Sequence, residues 1–160
     1  MLRGGKGTNW EGGHRVPFIA HWPGKVPAGT VCRELVTAMD ILPTLAAITG
    51  AKLPTKPIDG HDVTDLLTGV EGAKSPTETF IYYHRDGELA GVRRGPWKLM
   101  LEENELFHLE RDPSEQLNVR EDHRELVIEL HDLAAKLDAE MTAGVRPPLV
   151  VDQTVFDPKR

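Results

Sequence analysis

The sequence predicts an α/β protein, α+β within this chain: an α/β segment first, then a four-stranded antiparallel sheet packed by one long helix. Three observations carry that prediction. Between residues 79 and 110, "TFIYYH", "LAGVRRG", "WKLML" and "ELFHLE" are short runs rich in aromatic, β-branched and aliphatic residues, separated by "RDGE", "GP" and "EEN". Four such runs at hairpin spacing describe an antiparallel meander. Next, Leu126, Val127, Leu130, Leu133, Ala134, Leu137 and Met141 form one stripe at helical spacing behind Asp122 and Glu125, which stand at capping-box distance. Finally, the first half sets one apolar run, "VPFIAHW", ahead of one compact helical segment, "ILPTLAAIT".

Taken in order, the chain opens on "LRGGKGTNWEGGHRVPF", residues 2–18, with five glycines around Lys6, Trp10 and the His14-Arg15 pair. A glycine-flanked cation fits an anion cradle, because glycine lets the main chain approach a ligand closely; a flexible leader has the same composition. Val16 to Trp22 reads as a buried strand closed by Pro23-Gly24, "PGKVPAG" as a loop and "TVCRELV" as extended. Asp40 stands as the N-cap of the next helix, with Pro43 in its first turn and Gly50 as its stop. Leu42, Leu45, Ala46 and Ile48 or Thr49 form its packing face. A linker-like loop follows to Pro57, then "IDGHDVTDLLTG", a turn running into a short helical turn ended by Gly69. "VEGAKSPTE" is an exposed loop. The texture then changes, which divides the chain into 1–72, 73–143 and an irregular, proline-rich tail at 144–160, with Asp112-Pro113 turning the chain out of the sheet.

Composition narrows the function. A chain of 160 residues with 39% hydrophobic and 28% charged content holds a real core. The formal net charge of -6 excludes a nucleic-acid surface, whose counterion release needs clustered lysine and arginine. No run reaches the roughly 20 apolar residues of a membrane span and none near Met1 forms a signal peptide, so no membrane partner is expected and localisation is left open. Cys32, the single cysteine, excludes an internal disulfide and a multi-cysteine zinc site.

Among the candidate chemical groups Lys6 is the sharpest. An ammonium held among backbone N–H groups would stabilise a phosphoryl or sulfuryl oxygen; the alternative is a solvated loop lysine. The segment is not a P-loop, since Gly7 stands where Ser or Thr would be required. His14 follows two glycines close to Lys6 and is a candidate substrate contact. The other histidines, His21, His61, His84, His108, His123 and His131, form no ligand pattern and read as surface or packing residues. Asp59, Asp62 and Asp65 lack the alternate spacing and closing glutamate of a calcium loop, so no metal site is expected here. Cys32 reads as a packed thiol. Trp10 is either a ring to stack on substrate or a core anchor.

Together "LRGGKGTNWEGGHRVPFIAHWPG", "VTAMDILPTLAAITGAKLP", "IDGHDVTDLLTG", "GVRRGPWKLM" and "ELFHLERDPSEQLNV" resemble, in order and over residues 2 to 141, the C-terminal portion of the sulfatases of arylsulfatase type. The resemblance implies an alkaline-phosphatase-like fold, with 1–72 closing the catalytic α/β domain and 73–143 forming the C-terminal sheet-and-helix subdomain. It implies hydrolysis of sulfate esters, with Lys6 matching the lysine of the family's G-K-G-T segment that contacts the sulfate. It implies a formylglycine nucleophile and a calcium ion in the intact enzyme, neither held by this chain: Cys32 is followed by Arg33-Glu34-Leu35-Val36, not by the proline and arginine of a C-x-P-x-R motif. Family members are commonly exported. The chain alone is therefore expected to lack turnover, and to be a truncated reading frame or a stand-alone module that binds anions or completes a partner, associating through the exposed sheet edge at Val16 to Trp22. Hydrolysis of phosphate or phosphonate esters is the neighbouring enzymatic alternative.

Overall fold

The computed structural model describes residues 1–144; the predicted tail lies outside them except for Gly144. In chain order the elements are α1 (Glu11–His14), α2 (Ile41–Thr49), α3 (Thr64–Thr68), the strands β1 (Thr79–Tyr83), β2 (Leu89–Arg94), β3 (Trp97–Met100) and β4 (Glu105–His108), and α4 (Arg124–Ala143). The strands form one antiparallel sheet in the order β1-β2-β3-β4, as the hairpin spacing requires. Among the described residues no helix is long and apolar enough to cross a membrane.

Register sorts the sheet residues onto two faces. Ile81 pairs with Val92, Val92 with Leu99 and Leu99 with Leu106, giving one apolar row across all four strands. Onto that row α4 lays Val127, Leu130 and Ala134, all buried, with Leu126, Leu133 and Leu137 along the margin. Each large side chain fully removed from water there contributes roughly 1.5 to 3 kcal/mol. The Tyr83 hydroxyl donates to Asp138 Oδ1 at 3.0 Å and ties α4 to β1. Met141, at the end of the stripe, stays half exposed. The capping box does not form: Asp122 lies in a 3-10 turn, Arg120–His123, and no side chain caps α4. Asn118 instead accepts the N–H groups of Arg120 and Leu106, which fixes the approach to the helix.

The opposite face carries Phe80, Tyr82, Lys98, Met100 and Phe107, and it is covered by the glycine-rich opening. Trp10 meets Phe107 edge-on at 6.0 Å between ring centroids, and His14 meets Tyr82 at 5.0 Å. The opening is thus the second layer over the sheet. That explains why the strands read as near-continuous apolar runs, with both faces buried.

The first half departs from expectation. Val16 to Trp22 forms no strand, and Val16, Phe18, Ile19 and Trp22 are exposed. A strand needs a neighbour to take its N–H and C=O groups; among the described residues none pairs with it, and Pro17 removes a donor. The predicted sheet edge is therefore not there. "TVCRELV" is likewise irregular, and Cys32 is exposed, not packed. α2 has its proline in the first turn and ends at Gly50 with φ 70°, as predicted. Its buried face, however, is Pro43, Thr44 and Ala46, while Leu42 and Leu45 face outward with 52% and 54% exposure. Asp40 does not cap α2: its carboxylate accepts the Thr37 N–H at 2.7 Å and the His61 N–H at 2.8 Å, pinning the loop before α3 onto the start of α2. α3 ends at Gly69 in the left-handed region, as read.

Candidate anion site on the glycine-rich turn

Lys6 stands at the tip of a tight turn. Thr8 N–H donates to Gly5 C=O at 3.0 Å and the Thr8 hydroxyl to the same oxygen at 2.9 Å. Lys6 and Gly7 are the central residues, and Gly7 has φ 91°, the positive value that the third position of a type II turn demands. The base of the turn is closed by Gly12 N–H donating to Arg3 C=O at 2.8 Å. Gly13 is required by contact: a Cβ there would lie 2.1 Å from the Thr8 carbonyl oxygen. Lys6 is exposed and makes no hydrogen bond or ion pair among the described residues.

Its support is rigid. Lys98, in the middle of β3, is fully buried, and its Nζ donates to Asn9 C=O at 2.8 Å, Glu11 Oε1 at 3.1 Å and Glu115 Oε1 at 2.7 Å. Glu115 Oε2 in turn accepts the Glu11 N–H at 2.7 Å, and Glu11 Oε2 accepts from Arg15 Nε at 3.1 Å. Arg15, Glu11, Lys98 and Glu115 alternate in sign and cancel, so the buried charges are paired and hydrogen-bonded, the condition under which burial is tolerable. Arg3 completes the clamp. Its guanidinium lies 3.5 Å from the Trp10 ring centroid and donates to Glu105 Oε2 at 3.0 Å and to Glu115 C=O at 3.1 Å. Glu115 holds φ 54°, an unfavourable value for a side-chain-bearing residue, and from there both its carboxylate and its carbonyl reach the opening segment.

The predicted contacts sort as follows. Trp10 is a loop anchor by position, sandwiched between Arg3 and Phe107. His14 lies against Tyr82 and donates from Nε2 to Asn9 Oδ1 at 3.0 Å; its pKa is lowered, first by burial of one ring side and then by the nearby Lys98 charge. The Tyr82 phenol is pushed upward, mainly by burial. Asn9 Nδ2 lies 3.2 Å from His84 Nδ1, so His14, Asn9 and His84 form one polar chain beside the lysine turn. Sequence reasoning left Asn9, Lys98, Glu11 and Glu115 without a role and read His84 only as a surface or packing residue. The lysine inside the apolar run "WKLML" was the available clue, since a charge at that point of a strand needs a buried partner.

Among the described residues no three His, Cys, Asp or Glu side chains are grouped to hold a metal ion, and Cys32 stands on an irregular exposed segment without a C-x-P-x-R context.

A family model described as N-sulphoglucosamine sulphohydrolase, C-terminal, matches residues 5–143. The chain belongs to this sulfatase family. It is similar to an arylsulfatase of Hemicentrotus pulcherrimus, 46% identical over 61% of this chain and 17% of that protein. It is similar also to arylsulfatase A of Bos taurus, 36% identical over 90% of this chain and 35% of the bovine protein. Among solved structures, the PsFucS1 sulfatase from Pseudoalteromonas sp. superposes with a TM-score of 0.74 at 26% identity, covering 88% of this chain and 33% of that one. Ps i-CgsB, solved in complex with k-i-k-neocarrahexaose, gives a TM-score of 0.71 at 29% identity over 86% and 32%. This sulfatase chain thus spans about a third or less of the relatives it matches.

Proposed function

We propose that this chain forms the sulfate-facing part of a sulfuric ester hydrolase, with Lys6 as the cation that meets the sulfuryl oxygens. The observation that carries the reading is an ammonium without a partner among the described residues, at the tip of a turn whose base is locked to the sheet through Lys98, Glu11 and Glu115. Charge stabilisation of this kind works by preorganisation, and a unit charge at contact distance and moderate dielectric is worth about 4 kcal/mol. Trp10 and His14 serve the turn, Trp10 as its anchor and His14 by orienting Asn9. The nucleophile and its metal come from the remainder of the fold, which in the solved sulfatases is about two thirds of the chain. That remainder also supplies a cover for Phe18, Ile19, Leu42 and Leu45, which face outward here.

The test is a titration of the 160-residue chain with inorganic sulfate, followed by backbone amide NMR. Sulfate should shift Gly5, Gly7 and Thr8, and Lys6→Ala should abolish those shifts while leaving the sheet signals in place. Shifts that persist in Lys6→Ala refute the assignment. Stronger binding of inorganic phosphate than of sulfate would favour the phosphate-ester alternative.

A further inference from the structure

Asn9 follows the lysine turn directly, next to Thr8, whose N–H and hydroxyl close that turn. Three elements hold it. From β3, Lys98 Nζ donates to its backbone C=O at 2.8 Å. From the end of α1, His14 Nε2 donates to its Oδ1 at 3.0 Å, and its own Nδ2–H donates to His84 Nδ1 at 3.2 Å. His84 is fixed in turn, just beyond the register shift between Tyr82 and Tyr83: its N–H donates to Glu88 C=O at 2.8 Å, and its C=O accepts the Gly87 N–H at 3.0 Å. Both side-chain bonds of Asn9 therefore run to imidazole rings, and an imidazole nitrogen changes from acceptor to donor when it is protonated.

We infer that Asn9 is the positioning residue of the lysine turn, and that its amide has two orientations that exchange when His84 takes a second proton. Neutral His84 accepts at Nδ1 and so carries its proton on Nε2, the nitrogen that lies 3.5 Å from Glu102 Oε2. Protonated His84 donates from both nitrogens. Its Nδ1–H then meets the Asn9 NH₂ group, donor against donor, and the contact is restored by a half-turn of the amide about its Cβ–Cγ bond, which sets Oδ1 toward His84. The same half-turn presents Nδ2–H to His14 Nε2, which must now accept, so the His14 proton passes through solvent to Nδ1 and that ring stays neutral. The net change is one proton, gained at His84, and two hydrogen bonds tie Asn9 before and after.

The surroundings favour this order of events. His84 faces the Glu102 carboxylate from the connection between β3 and β4, with Arg85, Asp86 and Glu88 on its own loop, so its protonation completes an ion pair. His14 faces the rings of Phe80 and Tyr82 on β1, the Lys98 charge from β3 and the Glu11 charge from its own helix. Burial first and Lys98 second lower its pKa, and the Tyr82 phenol, raised by burial, adds no charge. His14 is thus the ring kept as a neutral tautomer. The functional consequence rests on the reading of Lys6 as the sulfate contact: the turn stays tied through Asn9 in neutral and in acid solution alike, where a bond to one histidine alone would be lost on protonation.

The test follows the imidazole nitrogens of the isotope-labelled 160-residue chain by long-range proton–nitrogen correlation NMR as the pH is lowered. At the alkaline start His14 and His84 should both carry the proton on Nε2. As the His84 ring becomes cationic, His14 should pass to the Nδ1–H tautomer with the same midpoint. His84→Asn sets an amide oxygen near the place of Nδ1 and does not titrate, so it should leave His14 on Nε2 over that range. A His14 that stays on Nε2 while His84 charges, or that becomes cationic with it, overturns the amide exchange, and so does an exchange that persists in His84→Asn. Positioning is read separately. Asn9→Ala should weaken inorganic sulfate binding, followed at Gly5, Gly7 and Thr8, by about fivefold, the effect of one net hydrogen bond, with the sheet signals unmoved. Unchanged sulfate affinity in Asn9→Ala refutes the positioning role. Sulfate that leaves the wild-type turn unmoved refutes Lys6 as the contact and Asn9 as its positioning residue, while an exchange seen in the ring spectra stands.

Discussion

Replacing Lys98 by methionine removes one charge from a place where nothing else can take it over. Lys98 is 0% exposed and Glu115 is 1% exposed, and the Lys98 ammonium bridges Glu115 Oε1 at 2.7 Å and Glu11 Oε1 at 3.1 Å. Without it Glu11 retains only Arg15, and the Glu115 carboxylate retains only the Glu11 N–H, so two buried carboxylates face each other with one cation at the rim. Breaking a buried pair by removing one partner costs about 3 to 5 kcal/mol, a large share of the roughly 5 to 15 kcal/mol that holds a domain together. The methionine chain fills most of the lysine stem, so packing contributes little to the loss. Urea unfolding monitored by circular dichroism and by tryptophan fluorescence measures it, the latter because Trp10 sits on the segment that is released. The double variant Lys98→Met with Glu115→Gln should recover part of the loss. The glutamine oxygen still accepts the Glu11 N–H and its NH₂ replaces the lysine as donor to Glu11, a coupling of about 1 to 3 kcal/mol. A loss below about 1 kcal/mol in the single variant, or strict additivity in the double, would refute the idea that paired burial holds the opening on the sheet.

Two further outcomes follow from the same geometry. Gly13→Ala sets a Cβ 2.1 Å from the Thr8 carbonyl oxygen, a backbone atom that cannot swing aside, so it should destabilise the fold by about 1 to 3 kcal/mol and shift the Gly5 to Thr8 amides; a neutral result in urea would show the turn to be loosely held. His14 has a folded-state pKa below its ordinary 6.5, so the unfolded chain binds the extra proton first: its contribution to stability is complete above pH 6.5 and is lost as pH falls through the folded value. Stability of the wild type should therefore decline below pH 6.5 more steeply than that of His14→Gln, and parallel pH profiles would count against it.

The sheet and α4 were legible because their determinants are local. Turn residues fix hairpin lengths, and a stripe from Leu126 to Leu137 needs only helical periodicity to declare its buried side. Val16 to Trp22 misled for the converse reason: an apolar run states that a segment can be buried, while a strand also requires a neighbour's hydrogen bonds, which sequence composition does not encode. Asp40 misled in a similar way, since an aspartate before a helix suits a cap, yet its partner His61 lies 21 residues on. Lys6 could be singled out from its glycines. Its platform could not, because the Lys98 partners are Asn9 and Glu11 far upstream and Glu115 in a loop beyond the sheet, and only folding brings them together.

The link between Glu11 and Glu115 joins residues 104 positions apart. During synthesis, therefore, the turn bearing Lys6 emerges well ahead of Glu115 and waits, unaimed, until translation has passed that residue. A stop codon between the turn and Glu115 would leave every residue of the glycine-rich turn intact and still cost Lys6 the platform that holds it on the sheet.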